Sequence, residues 1–136
     1  VKIPEDSLWK GNKYHQNKST EELGKTNLRV HTYRWTMFAD NDEDAWESLK
    51  SWRGLRAPNR LQELDPMVLR ETADSLGREE IMSKFSRAGN IEELIDIYKP
   101  LVDDFESEIV TIQISSIDQP KTIELLGKEL LPKLKR

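Results

Sequence analysis

The densest group of ligand-type side chains is the run DNDED, in which Asp40, Asp42 and Asp44 alternate at the spacing of the first oxygen donors of a calcium loop. Such a loop next needs glycine at its sixth place and glutamate at its twelfth. This chain has Ala45 and Ser51 there, so the acids read as the first turn of a helix, where they meet the positive end of its dipole. His15 and His31 are the only histidines, and neither has a second histidine at a metal-ligand spacing. His15 falls in a polar loop and His31 in a strand beside Tyr33, which suits surface or packing roles better than catalysis. Arg53, Arg56 and Arg60 fall in an irregular connection. Together with Lys84 they have the fork and point-charge donors that suit a phosphate or other anion. The plainer alternative is a solvated loop, and no Gly-rich phosphate loop accompanies them. Trp35 has a shape suited to a planar ligand, whereas Trp46 and Trp52 fit packing on a helix face.

The frame that must position these residues has 136 residues, which suits one compact domain. Charged residues make up 34% and the net charge is -4, a balance that argues against a nucleic-acid partner, which needs a positive surface. No run of about 18 apolar residues exists, so no membrane partner is expected. There is no cysteine. That removes disulfides, thiolate metal sites and a Cys nucleophile, and it fits a cytoplasmic protein.

Secondary structure follows from periodicity and punctuation. NLRVHTYRWTMFA (27–39) reads as a strand rich in β-branched and aromatic residues, with large side chains on both faces. Ala45, Trp46, Leu49 and Trp52 at helical spacing predict a helix over about 42–53. Residues 52–64, with Gly54 and Pro58, read as a connection. Asp65-Pro66 starts a helix that Gly77 stops. A short helix over Arg78–Ser83 follows. Asn90 with Glu93 resembles a capping box and opens a stripe of Ile91, Leu94, Ile95, Tyr98, Leu101, Val102 and Phe105. Pro100 is expected to bend or break that helix. EIVTIQISS (108–116) is the second strand. Gln119-Pro120 opens a last helix carrying Ile123, Leu126, Leu130 and Leu134.

Strands alternating with helices imply an α/β fold with parallel pairing by crossover. Two parallel strands alone make a poor sheet, because parallel sheets bury both faces and most sheets have four to six strands. The expectation is therefore a chain that needs further strands or a partner.

The ordered series DNDEDAW, DPMVLRETADSLGREEIMSKF, the Asn90–Glu93 helix start, EIVTIQISS and IELLGKELLPKLK resembles the C-terminal region of the luciferase-like oxidoreductases that use the deazaflavin coenzyme F420. The nearest type is the F420-dependent glucose-6-phosphate dehydrogenase with its archaeal relatives. That resemblance implies the C-terminal portion of a (β/α)8 TIM barrel. Residues 1–26 would follow strand 6, and 27–105 would hold strand 7 with a helical crossover and insertion. Residues 106–136 would hold strand 8 and the last helix. VKIPED would sit just past strand 6, making Val1 a boundary inside a larger barrel.

The resemblance also implies coenzyme F420, bound mainly by parts outside this chain, and hydride transfer with a small substrate, phosphorylated in the nearest type. Lys2 would hold the substrate phosphate, Lys84 falls at the place of a second basic contact, and Arg60 is the nearest candidate for a third. The family's catalytic residues come from earlier strands, so this chain would hold none and be inactive in isolation. The N-terminal portion of the barrel, from the same gene or a separate chain, would be its partner, with a homo-oligomer expected. DDFESEIV stands where the family often has Gly then His, and SSIDQP replaces its Gly-containing turn. These departures leave a methylene-tetrahydromethanopterin or alcohol substrate open. The rival expectation is a non-catalytic α/β interaction module that self-associates or completes a barrel with a second chain.

Overall fold

A computed structural model describes residues 31–104 and 107–135, together with Glu21 and Gly24. Lys2, Trp9 and His15 lie outside the described residues, as does Phe105 of the helical stripe. The strand β1 spans His31–Phe38, and helix α1 spans Asp42–Leu49. A 3-10 segment, Lys50–Arg56, leads to α2 at Pro66–Leu76 and α3 at Arg78–Ser83. Then come β2 at Ser86–Ala88, α4 at Ile91–Asp103 and β3 at Ile109–Ser115. The chain ends in α5, Gln119–Leu125, a π-helical turn at Leu126–Leu130 and α6 at Leu131–Leu134.

The expected parallel pairing of the two long strands is present. β1 runs beside β3 from His31 opposite Ile109 to Met37 opposite Ser115. A third strand, absent from the sequence reading, lies on the other side of β1. β2 pairs in parallel from Thr36 opposite Ser86 to Phe38 opposite Ala88, giving the order β2-β1-β3. Its three residues, Ser-Arg-Ala, are too few and too polar to carry an alternating pattern.

Each face of the sheet has its own core. Phe38, Val110, Ile112 and Ile114 pack against the Leu94, Tyr98, Leu101, Leu130 and Leu134 side of α4 to α6. Trp35 and Met37, on the opposite face of β1, meet Ala45, Leu49, Ala73, Ile81 and Phe85 from α1 to α3. The alternation of a strand distributes these residues between the two layers.

Local chemistry explains most boundaries. Asn41 caps α1 by accepting from the Asp44 amide at 2.9 Å, and Asp65 caps α2 by accepting from Met67 at 2.8 Å. Gly77 separates α2 from α3 at φ 88° and ψ 157°, a conformation nearly exclusive to glycine. Asn90 accepts from the Glu93 amide at 2.9 Å, while the Glu93 carboxylate reaches back to the amide of Gly89 at 2.7 Å. The box therefore closes one residue earlier than its usual form.

Three expectations are corrected. Helix α1 ends at Leu49 rather than near residue 53, because the backbone tightens into the 3-10 segment. Helix α4 is not broken at Pro100 but continues to Asp103, with Leu101 buried in the core. In the last helix Ile123 faces outward and is exposed, while Thr122, Leu130 and Leu134 are buried. A π turn shifts the register there: the Leu131 amide donates back to Leu126, just ahead of Pro132, which has no amide hydrogen to give.

Candidate functional site

In parallel sheets ligands gather beyond the carboxyl ends of the strands. Here the ends of β1, β2 and β3 converge on one pocket of about 240 Å³. Phe38, Ile117 and Leu125 form apolar walls. Asp40 and Asp44 enter from the β1–α1 turn, Ser116 and Asp118 from the β3–α5 turn, and Lys121 from the first turn of α5. Gly89, just past β2, completes the wall. A Cβ at Gly89 would stand 3.3 Å from the Cα of Asp40, so the two chain segments approach more closely there than a larger residue allows comfortably.

The acidic run separates into two sets. Asp42 pairs with Arg87, and Glu43 accepts from Arg78 at 2.8 Å. Arg78 also donates to the Asp42 carbonyl at 2.6 Å and lies over the Trp46 ring. These contacts tie α1 to β2 and α3. Asp40 and Asp44, which line the pocket, accept from the Asn41 side chain at 3.0 Å and have no cationic partner among the described residues. Among the described residues no group of three His, Cys, Asp or Glu side chains is placed to hold a metal ion.

Ser116 is 8% exposed, yet its Oγ has no hydrogen-bond partner. Buried hydroxyls are normally paired, and this one, closed to solvent, has no partner among the described residues. Asp118 caps α5 by accepting from the Lys121 amide at 3.1 Å.

Two of the predicted basic residues, Arg53 and Lys84, are paired with acids. Arg53 is taken by Asp74 in a two-pronged pair at 2.5 and 2.9 Å. That hydrogen bond raises the Arg53 pKa and lowers that of Asp74. Arg56 lies 4.9 Å over the Phe85 ring, next to Lys84. Lys84 pairs with Glu80 at 3.4 Å and precedes β2, so it stands at the opposite end of that strand from the pocket. Arg60 is exposed, its amide held by the Ala57 carbonyl, and no described contact joins its side chain to Lys84. Lys2 lies outside the described residues.

His31 is exposed and bonds Thr111 across the sheet at 2.7 Å. Trp35 is packed edge-on against Trp52 and Phe85, each at 5.6 Å, and the planar-ligand expectation meets a filled aromatic cluster there. No helix among the described residues is long and apolar enough to cross a membrane.

Sequence reasoning missed the pocket residues Asp40, Asp44, Ser116, Asp118 and Lys121 as a group. The signal was available in part, because Asp40 and SSID each follow a strand expected to be parallel. Gly89 had no such signal without β2.

No known family profile matches the chain, and no curated protein matches it. Among solved structures it is similar to an F420-dependent secondary alcohol dehydrogenase in complex with an F420-acetone adduct. The match covers 88% of this chain with a TM-score of 0.70 at 18% identity. It spans 37% of that neighbour's chain. The likeness is one of fold: the described α/β architecture is similar to part of that neighbour's fold.

Proposed function

We propose that this chain forms the C-terminal part of a (β/α)8 barrel in an F420-dependent oxidoreductase. The observation that carries this reading is the fold match over 88% of the chain to an enzyme of that cofactor class. The sheet supports it independently. β2 and β3 are its two edges among the described residues, and parallel sheets are completed by further strands. The missing strands, from the same gene or a second chain, would pair there.

The pocket described above does not fit the coenzyme itself. Its volume of about 240 Å³ falls below the range of roughly 300–1,000 Å³ usual for ligand sites of that size. The deazaflavin therefore belongs against the missing strands, where it would supply the hydride chemistry. This chain's part is to brace the rim and shape the substrate side.

The substrate remains a matter of two options within the reading. The neighbour is a secondary alcohol dehydrogenase, which favours a small alcohol or ketone. A phosphorylated substrate would be held by Lys2, Arg60 and Lys84, with Lys84 leaving Glu80 to do so. Supplying the intact protein with F420 and following deazaflavin absorbance tests both. Reduction driven by a secondary alcohol or by a sugar phosphate selects the substrate class. The absence of both coenzyme binding and turnover would overturn the proposal.

A second reading, a non-catalytic module that self-associates, draws on one surface. Trp52, Leu55, Leu61, Leu64 and Met67 are all about half exposed or more, from 47% to 95%. Large apolar side chains left exposed within one segment of the chain are candidates for an interaction site. A stable monomer in sedimentation would remove it.

A further inference from the structure

We propose that the open edge of β1 at His31–Arg34 receives a further parallel strand, one that sets a carboxylate beside Arg34 and an apolar side chain beside Tyr33. The proposal rests on the barrel reading for the source of that strand, and it adds which edge the strand takes and what it carries.

Unequal pairing along β1 defines the edge. β3 accompanies it from His31 to Met37, whereas β2 joins only at Thr36–Phe38. Beside β2 the Ala39 amide donates to the Ala88 carbonyl at 2.9 Å. Alternate residues of a parallel strand direct their main-chain groups to the same side, so Tyr33 presents its N–H and C=O to that edge as well. Among the described residues no strand meets Tyr33 there. A strand added at this place continues the line of β2 along an edge that β2 already uses. Both present neighbours of β1 run parallel to it, and sheets tend to keep one direction.

The two faces of this stretch specify the incoming side chains. On one face His31 and Tyr33 lie opposite Ile109 and Thr111. All four are exposed, Tyr33 by 69% and Ile109 by 48%. Helices α1 to α3 cover the same face further along, at Trp35 and Met37. A parallel sheet buries both faces, so the strand brings an apolar residue to Tyr33.

Arg34 points to the opposite face, the side of Thr36 and its partner Tyr98. It is partly buried, and no acid pairs with it among the described residues, whereas Arg53, Arg78 and Arg87 each have one. Burial lowers its pKa, opposed in part by Tyr98. A guanidinium drawn further from water by a new strand needs a carboxylate. Neighbouring strands lie about 4.8 Å apart, within reach of an Arg–carboxylate fork. Because side chains alternate, that acid sits between two apolar residues in the incoming sequence.

The test uses the intact protein. Hydrogen exchange at the Tyr33 amide is expected to be about a hundredfold slower than in an unstructured chain. Arg34→Lys supplies an amine that a carbodiimide joins, at zero length, to a carboxylate in contact. Mass spectrometry is expected to find it joined to an acid outside the described residues and flanked on both sides by apolar residues. Circular dichroism checks the fold of the variant, and the exchange measurement on the unaltered protein does not depend on it. Unprotected exchange at Tyr33 overturns the proposal. So does the absence of a cross-link, a cross-link to a described acid, or one to an acid without apolar neighbours. Deazaflavin reduction is followed separately. Turnover with an open edge removes this proposal and leaves the barrel reading, and a cross-linked strand without coenzyme binding does the reverse.

Discussion

Tyr98 donates its phenolic proton to the main-chain carbonyl of Arg34 at 2.7 Å, so Thr36, whose Oγ1 lies 2.9 Å away, must be the donor to the Tyr98 oxygen. Both Tyr98 and Thr36 are fully buried. The pair fastens α4 to the middle of β1, the strand on which both edges of the sheet depend.

Tyr98→Phe removes the acceptor for Thr36 and the donor for Arg34. A buried polar group left unpaired costs about 1–3 kcal/mol, so a loss of that size is expected in urea denaturation. A loss below about 0.5 kcal/mol would show that the pair is not holding the helix.

Burial pushes the Tyr98 pKa up to about 12, with the Thr36 hydrogen bond opposing in part. In the unfolded chain it ionises near 10. Below that value both states keep the proton and the contribution is full. Between about 10 and 12 the unfolded chain loses a proton that the folded chain retains, so stability falls as pH rises. The alkaline slope of stability should be smaller in Tyr98→Phe.

Gly77→Ala isolates a backbone effect. Nothing lies within 4 Å of the added carbon, yet φ is +88°. A loss of about 1–3 kcal/mol is expected from strain alone. An unchanged denaturation midpoint would mean that the link between α2 and α3 relaxes at no cost.

Gly89→Ala is the contrasting case, because its carbon would press on the Asp40 backbone at 3.3 Å. Crowding of this type costs about 1–3 kcal/mol. It should also disturb the pocket, seen as amide shifts at both Asp40 and Ser116.

The Arg53 hydrogen bond holds the Asp74 carboxyl below its usual value. Its contribution is present above the unfolded carboxylate range and is lost as pH falls through the lower folded value. Asp74 is half exposed, so the term is at most about 1 kcal/mol. The stability gap between the protein and Asp74→Asn should shrink between pH 7 and pH 3.

The elements were largely legible in the sequence. Asp65-Pro66, Asn90 with Glu93, and Gly77 bracket helices because capping and backbone freedom depend on residues a few places apart. The 3.6 and 2.0 periods likewise placed α4, β1 and β3, since side-chain spacing is a local property. The expectation of further strands came from parallel pairing, before any likeness to a barrel entered.

Tertiary structure decided what depends on distant neighbours. β2 exists because β1 offers it an edge at Thr36 to Phe38, not because Ser-Arg-Ala favours a strand. Arg53 left the basic group because α2 brought Asp74 within reach, 21 residues away. Asp40, Gly89 and Ser116 meet only because the sheet order places three strand ends side by side. Local sequence determines which segments become helix or strand; which charges remain unpaired, and around what space, is set by how those segments pack.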